Sequence, residues 1–392
     1  MQRTAVVWVI YSMTHSAFML GLTIFAEQFP SFLLSIIGGL ASDRYDRYQI
    51  IKITQITSML QSILLAALVL TGHSAVWSIL TLSVLLGVIN AFDVPARQSM
   101  IHEVLYDEAD LPNALSLNSA MASLARLAGP ALAGILLQQL GAGICFLINA
   151  ASFGAVIISF VMMRLPASAH AHQNQTDKPL DGLKEAFVYL KQHKELLLII
   201  VLLALVSLLV LPYDTLLPLY AKKIFAGNAT TYGYLTSAVG FGAVVGTVIL
   251  ASLKSSKNLK KILGFSLLAL GLGLMAFSHL RTFGLALPFA AIIGFGSVAQ
   301  ATIVNTVIQM DTAPHMRGRV LGLMFMAMFG MLPLGSIVIG ALSQLIGAPK
   351  TVLILGLLAL ILAAGFRHSL FGRVLSIEDK KDNPPDGHTI PA

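Results

Sequence analysis

The stretch that decides the fold is Gly39-Leu-Ala-Ser-Asp-Arg-Tyr-Asp-Arg47, a short turn that contains two acid–base pairs. It follows one long apolar run, Phe18–Ala41, and precedes another, Ile50–Leu70. Each run is long enough to cross a bilayer core, which takes about 20 residues. Four formal charges in so short a turn are costly anywhere except at the membrane surface. The stretch therefore predicts two membrane-spanning helices joined by a surface turn.

The composition of the whole chain agrees with a membrane protein. The 392 residues are 56% hydrophobic and only 11% charged, with a mean hydropathy of +0.82, far from the values of an average soluble domain. The single cysteine, Cys145, excludes a disulfide framework. The net charge of +7 favours membrane orientation over nucleic-acid binding, because the basic residues fall in short loops without interleaved aromatic residues.

Apolar runs predict eleven full spans, numbered from two because the segment before them, Thr4–Met13, is too short to cross. They are Phe18–Ala41, Ile50–Leu70, Ala75–Pro95, Leu115–Leu137, Ile144–Met163, Leu196–Leu219, Tyr232–Leu253, Ile262–Phe277, Gly284–Gln309, Val320–Ile346 and Thr351–Phe366. We expect a first bundle at 1–163, a connector at 164–194, a second bundle at 195–366 and a polar tail at 367–392. Within the connector, Leu180–Leu190 has the apolar spacing of a surface helix.

Charge distribution predicts the orientation of these spans. Of the 25 lysines and arginines, nineteen fall on the side of the connector and the C-terminal tail, and four fall on the opposite side. Basic residues concentrate on the cytoplasmic side of membrane proteins. The connector and the C-terminus are therefore expected in the cytoplasm.

The Gly39–Arg47 turn resembles the loop between the second and third helices of major facilitator superfamily transporters. Gly39, Asp43, Arg44 and Arg47 match the family pattern, while Asp46 stands where that pattern has glycine. This departure is typical of the enterobactin- and macrolide-exporter-like branch. Five further stretches are similar to the same branch: Asn90–Gln98, Leu111–Ser119, Ala125–Gly134, Leu211–Pro218 and Met316–Val320.

The resemblance implies an all-α polytopic protein with the major facilitator fold, in which two six-helix bundles are related by a pseudo-two-fold axis. It also implies that the turn is a conformational latch, formed by Gly39, Asp43, Arg44 and Arg47 with Asp93 and Glu103 as acidic partners. Ordinary interfacial charge is the alternative for these residues. In the branch, the sequence that resembles Met1–Tyr11 is the outer half of span one. We therefore expect the first span to be truncated at its N-terminus.

Span five carries a second motif. Arg126, Gly129, Pro130 and Gly134 resemble the helix motif that is associated with antiporters. Pro130 removes a helix hydrogen bond and small residues allow close backbone approach, although generic helix packing explains any one glycine equally well. Arg126 needs a partner or a wet cavity, unless it snorkels to the cytoplasmic boundary.

Two acids are candidates for proton coupling. Glu27 lies near the middle of span two with no basic residue within a turn or two along the helix, and Asp214 lies toward the outer end of span seven. An intramembrane carboxylate is costly, so either is a functional candidate, the alternative being a fixed, hydrogen-bonded acid. Polar residues on otherwise apolar spans are candidates for a cavity lining or for helix–helix hydrogen bonds: Gln28, Gln55, Gln61, Asn118, Asn149, Asn305 and Gln309.

These observations predict a secondary transporter in the bacterial inner membrane that exports a small amphipathic compound, siderophore- or drug-like, in exchange for protons by alternating access. The alternatives are an uptake or facilitative transporter, and a non-transporting sensor or inactive truncated product. The chain has no Gly-x-x-x-x-Gly-Lys-Ser/Thr loop, which argues against ATP hydrolysis. We expect a monomer in the lipid bilayer that is not an enzyme, with no cofactor, metal site or nucleic-acid partner.

Overall fold

Helices make up every regular element in the part of the chain that the structure describes. The computed structural model describes residues 1–104, 110–163, 179–252 and 259–367, with the backbone alone for His102, Glu103, Pro112 and 179–183. Ten of these helices are long and apolar enough to span a membrane. The predicted all-α polytopic fold is confirmed.

The helices follow the predicted order of spans. They are α1 (Gln2–Thr14), α2 (Ala17–Arg44), α3 (Arg47–Leu70), α4 (Val76–Val104), α5 (Leu111–Met162), α6 (Pro179–Gln192), α7 (Lys194–Leu209), α8 (Leu217–Leu219), α9 (Ala229–Ser252), α10 (Leu259–His279), α11 (Phe283–Asp311), α12 (Arg317–Ile346) and α13 (Ala348–Gly365). A 3-10 helix, Leu211–Leu216, lies between α7 and α8, and a π-helix, Tyr220–Ile224, follows α8.

The predicted turn between the first two full spans lies where the sequence places it. Helix α2 ends at Arg44 and α3 begins at Arg47. The carboxylate of Asp46 caps α3 by accepting a hydrogen bond from the Tyr48 N–H at 2.9 Å. Aspartate is a strong helix N-cap, because its side chain satisfies an amide that the helix leaves unpaired. The departure from glycine at this position therefore stabilises the start of α3.

Predicted spans five and six form one helical run, α5, that is broken only at Gly141. Gly141 has φ 81° and ψ 168°, a conformation that is accessible to glycine and strained for other residues. The two arms, 111–140 and 142–162, are each long enough to cross a bilayer. The sequence predicted a longer break, over residues 138–143 between the two spans.

Span seven differs from the uniform helix that its apolar run predicts. Helix α7 ends at Leu209, and the chain continues through the 3-10 helix, α8 and the π-helix. Pro212 and Pro218 cause this irregularity, because proline lacks the N–H that a regular α-helix needs. The break places Asp214 in a 3-10 turn.

Packing divides the spans into two groups. Helices α1 to α5 pack on one another, and α7 with α9 to α13 form a second group, while α2 against α12 and α5 against α9 join the groups. The buried residues form one large cluster centred on the second group and two smaller clusters in the first. We call the groups the first half and the second half.

The predicted surface helix in the connector is confirmed as α6. It packs on α7 and α12, and the backbone N–H of Ala313 donates a hydrogen bond to the Tyr189 hydroxyl at 3.2 Å. Glu185 of α6 forms an ion pair with Arg319 at the start of α12. The helix therefore lies against the turn between α11 and α12.

The contact between α5 and α9 depends on small residues. A Cβ atom built on Gly134 would lie 2.6 Å from the carbonyl oxygen of Ala229, and one built on Gly233 would lie 2.5 Å from that of Pro130. Real Cβ atoms do not approach this closely, so glycine is required for this packing. Gly129, in the same motif, has open space around its Cβ position.

We predict that Gly134→Ala lowers the thermal midpoint of the purified protein and that Gly129→Ala does not. Overpacking in a tight contact costs about 1–3 kcal/mol. Both variants gain the same helix propensity, about 1 kcal/mol for alanine over glycine, so their difference isolates the clash with α9. Thermal unfolding in detergent measures it. Equal midpoints for the two variants would contradict this packing.

Candidate functional site

A large cavity of about 2390 Å³ separates the two halves. Its walls come from α1, α2, α4 and α5 on one side, and from the 3-10 helix, α9, α11 and α12 on the other. The lining extends from Arg3 and Glu27 to Asp43 and Arg47 at the turn between α2 and α3. Asp43 is exposed, so the cavity opens at this end. We call it the basic end, because the connections there carry most of the basic residues.

The opposite end of the molecule is closed by contacts between the halves. The backbone N–H of Ala17 donates a hydrogen bond to Oε1 of Gln344 at 3.0 Å, and the Ser16 hydroxyl donates to the same oxygen at 3.3 Å. A Cβ built on Gly340 would lie 2.7 Å from the Ala17 carbonyl oxygen. Helices α2 and α12 therefore meet closely at this end.

An arginine with two carboxylates forms the inner end of the cavity. Nε of Arg3 lies 3.9 Å from Oε2 of Glu27, and Nη2 of Arg3 lies 3.6 Å from Oδ2 of Asp214. The exposed fractions of these side chains are 43% for Arg3, 15% for Glu27 and 38% for Asp214. Arg3 therefore bridges an acid of the first half and an acid of the second half in partly wet surroundings. We call these three residues the charge bridge.

The sequence identified both acids and missed their cation. Arg3 lies 24 residues before Glu27 and 211 before Asp214, so only the fold brings the three together. A search for cations along α2 could not find it, because α1 supplies it. Near the charge bridge, Trp8 stacks on Tyr232 with ring centroids 6.0 Å apart, a second contact between α1 and the second half.

The span-five motif contributes to the cavity wall and to the interface between the halves. Arg126, Gly129 and Pro130 line the cavity, while Gly134 packs on α9. Arg126 is exposed, and none of the ion pairs among the described residues includes it. The sequence left open whether Arg126 has a partner, faces a wet cavity or reaches the membrane boundary. The structure places it in a cavity wall.

The predicted latch residues occupy two places. At the rim of the cavity, Arg47 lies 3.9 Å from Asp43 and its Nε donates a hydrogen bond to the Ser42 carbonyl oxygen at 3.1 Å. Arg44 lines the same rim, and Gly39 has open space around it.

Asp93 is buried between α3 and α4. It accepts hydrogen bonds from Thr54 at 2.7 Å and from Gln55 at 2.8 Å, and it forms an ion pair with Arg97 at 2.9 Å. Both of its oxygens are thus bonded within the first half. The side chain of Glu103, the other predicted partner, lies outside the described residues.

Of the seven polar candidates, Gln28 lines the large cavity. Gln61 and Asn149 form a buried network with Gln2 of α1, in which Gln2 donates to Gln61 and accepts from Asn149, each at 2.7 Å. Gln55 bonds Asp93, and Gln309 donates to Asn305 one turn away at 3.0 Å. Asn118 lines a separate groove of about 260 Å³. Helix–helix hydrogen bonding, the alternative left open by the sequence, describes Gln55, Gln61 and Asn149.

A family model described as a transmembrane secretion effector matches residues 1–387. The chain belongs to this family. Its members are transporters of the major facilitator superfamily and are not enzymes.

Proteins of known name that are similar to this chain align with most of its length. The chain is 26% identical to the staphyloferrin A transporter of Staphylococcus aureus, over 89% of this chain and 87% of the relative. It is 27% identical to the multidrug efflux pump Tap of Mycolicibacterium fortuitum, over 91% and 88%. It is 24% identical to the enterobactin exporter EntS of Escherichia coli, over 80% and 74%.

Solved structures share the fold. A variant of the peptide transporter POT superposes with a TM-score of 0.75 at 12% identity, over 95% of this chain and 92% of the other. A bacterial homologue of the lysosomal transporter Spinster, solved in an inward-facing and occupied conformation, gives 0.71 at 15% identity, over 96% and 94%. The major facilitator fold predicted from the Gly39–Arg47 turn is therefore confirmed.

We predict that Arg3→Gln lowers the thermal midpoint relative to wild type and that adding Glu27→Gln restores part of it. Without Arg3, the carboxylates of Glu27 and Asp214 face one another without a cation, and Glu27→Gln removes their repulsion. We expect a loss of about 1 kcal/mol for Arg3→Gln, because solvent screens partly exposed charges. Thermal unfolding of the variants in detergent measures it. Arg3→Lys is the control that keeps the charge, and an equal deficit with and without Glu27→Gln would contradict the charge bridge.

Proposed function

We propose that this secretion-effector family member exports a small amphipathic compound from the cytoplasm across the bacterial inner membrane, in exchange for protons. The observation that carries this proposal is the charge bridge, in which Arg3 joins an acid of each half at the inner end of a cavity that is open at one end only. A change from one open end to the other must separate the halves at that place. Proton binding and the conformational change can therefore act on the same three side chains.

The direction of transport is supported by the distribution of basic residues and by the functions of similar proteins. Nineteen of the 25 basic residues fall on the side of the membrane where the cavity is open. The positive-inside rule therefore supports a cytoplasmic location for the open end. A cavity open to the cytoplasm is ready to load cargo for export. Two of the relatives named above are an efflux pump and an exporter. We propose the same direction for this chain, acting as a monomer in the lipid bilayer.

Coupling follows from the position of Asp214 on the other half. Opening of the far end moves the second half, with Asp214, away from Arg3 and Glu27, which then face the outer solution. Arg3 is then no longer held between two acids and can turn to water, so Glu27 can take a proton from outside. When the halves return to the present arrangement, Arg3 is again held between both acids and Glu27 releases its proton into the cavity, because a neighbouring cation stabilises an ionised carboxylate. One proton moves inward for each return.

We predict that Glu27→Gln abolishes proton-driven accumulation in everted vesicles and keeps passive exchange of cargo. Glutamine has the shape of the protonated acid and cannot release a proton. The variant therefore binds cargo and changes between its two conformations without moving protons. Transport of a compound panel, with and without an imposed pH gradient, measures both activities. Glu195→Gln is the matched control, because its carboxylate pairs with Lys260 outside the cavity. If Glu27→Gln still pumps uphill with unchanged dependence on external pH, Glu27 is structural and Asp214 is the next acid to test.

Orientation and the latch are tested by one labelling experiment. We propose that Asp43 and the adjacent arginines hold the basic end closed in the other state, because in the present open state Asp43 is exposed and its ion pair among the described residues is with Arg47 of the same half. Ser35 is exposed in the cavity wall, and Cys145 is buried. A Ser35→Cys, Cys145→Ala protein therefore reports access to the cavity.

We predict that an impermeant maleimide labels this cysteine in everted vesicles and not in intact spheroplasts. Adding Asp43→Asn should increase the labelling rate about twofold or more and slow export, because loss of about 1 kcal/mol from the closed state is about a fivefold shift in population. Labelling in spheroplasts alone would reverse the orientation. An unchanged rate in Asp43→Asn would show that the turn is not a latch.

A further inference from the structure

The cavity between the halves carries an excess of positive charge. Among the described residues that line it are five arginines and three carboxylates. The arginines are Arg3, Arg44, Arg47, Arg126 and Arg319. The carboxylates are Glu27, Asp43 and Asp214. Charge in a membrane protein is concentrated where it has a function, so this imbalance points to the cargo.

Ion pairs account for three of the five arginines. Arg3 has Glu27 and Asp214, Arg47 has Asp43, and Arg319 has Glu185 of α6. The two that take part in none of the ion pairs among the described residues are Arg44 and Arg126. Arg44 lies at the rim, where water solvates it. Arg126 is the one that lies deep in the cavity wall.

The depth of Arg126 follows from its place in two helices. It lies 15 residues after Leu111 and 15 before the break at Gly141, which is halfway along the first arm of α5. Its carbonyl oxygen lies against Gly240, where a built Cβ would be 2.6 Å away, and Gly240 is close to the middle of α9. A guanidinium at mid-membrane needs water or an anion beside it. The wall therefore presents an anion-binding group at the level where a transporter holds its cargo.

Beyond Arg319 near its start, α12 lines the cavity mainly with apolar residues. Phe325 and Phe329 both line the cavity and stack with ring centroids 6.1 Å apart, one turn apart on α12. Both rings are exposed in the cavity wall. A guanidinium on one half and an aromatic surface on the other suit a molecule that has a negative group and an apolar or aromatic part.

We propose that the cargo is a small amphipathic anion, such as a carboxylate or an acidic phenol, and that Arg126 binds its negative group. This inference rests on the proposed export function and names the class of compound that the cavity takes. Arg126 forms charge-assisted hydrogen bonds to the anion, and the stacked rings of α12 contact its apolar part. Arg44 at the rim attracts anions into the cavity from the cytoplasm. Organic cations are disfavoured by the same excess of arginine.

Binding to the purified full-length protein tests this proposal without any transport step. The probes are carboxyfluorescein, an aromatic polyanion, and ethidium, an aromatic cation, each followed by fluorescence anisotropy in detergent. We expect the wild type to bind carboxyfluorescein at least about tenfold more tightly than ethidium, and Arg126→Gln to weaken carboxyfluorescein binding by about tenfold or more, the usual effect of one lost charge-assisted hydrogen bond. Added salt should weaken the anion binding of the wild type.

Two further variants make the result specific. Arg126→Lys keeps the charge and should retain most of the affinity for carboxyfluorescein. Arg281→Gln removes a positive charge from the connection between α10 and α11, outside the cavity, and should bind like wild type. Tighter binding of ethidium, binding of neither probe, or unchanged affinity in Arg126→Gln would overturn the proposal. Vesicle export of ethidium-like cations would leave the export function standing and sink the anion assignment, whereas anion binding without export in vesicles would do the reverse.

Discussion

A lipid bilayer excludes unpaired charge, and this constraint decides where the charged side chains within the spans lie. Asp93 is bonded on both oxygens inside the first half. Glu27 and Asp214 share Arg3 at the inner end of the cavity, and Arg126 faces the cavity. The same constraint holds the turn between α2 and α3 at the membrane surface. The apolar spans, their connections and the central cavity all follow from it.

Two of the kinds of contact that join the halves respond differently to change. Gly134 against α9 and Gly340 against α2 are close backbone packing, which depends on shape and not on pH or ligand. The charge bridge depends on protonation, and any ion that enters the cavity can compete with it. The close packing supplies a surface about which the halves can rotate relative to one another. Protonation of the charge bridge can change the stability of one arrangement of the halves. A transporter needs both properties at one interface.

The fold could be predicted from the sequence because its signals are local. Hydrophobic length gives the spans, the charges of Gly39–Arg47 give the turn, and apolar spacing gives α6. The irregular chain after α7 and the continuous run of α5 were missed, since both depend on single residues, the prolines at 212 and 218 and Gly141. Only part of the candidate site could be predicted from the sequence. Its acids stand out on apolar helices, but Arg3 reaches them through the fold, and Gln61 and Asn149 are satisfied by Gln2 across helices.

The charged residues of the cavity are arranged by depth, and this order has a physical consequence. Asp43, Arg44 and Arg47 lie at the rim, Arg126 lies halfway along the first arm of α5, and the charge bridge closes the inner end. An anion that enters from the basic end meets cations at each level and carboxylates only where Arg3 already neutralises them in part. Because Arg3 already pairs with two acids, an anion bound nearby competes with them for the same guanidinium. Loading of the cavity and loosening of the contact between the halves are then one electrostatic event, which needs no separate signal between the cargo site and the closed end.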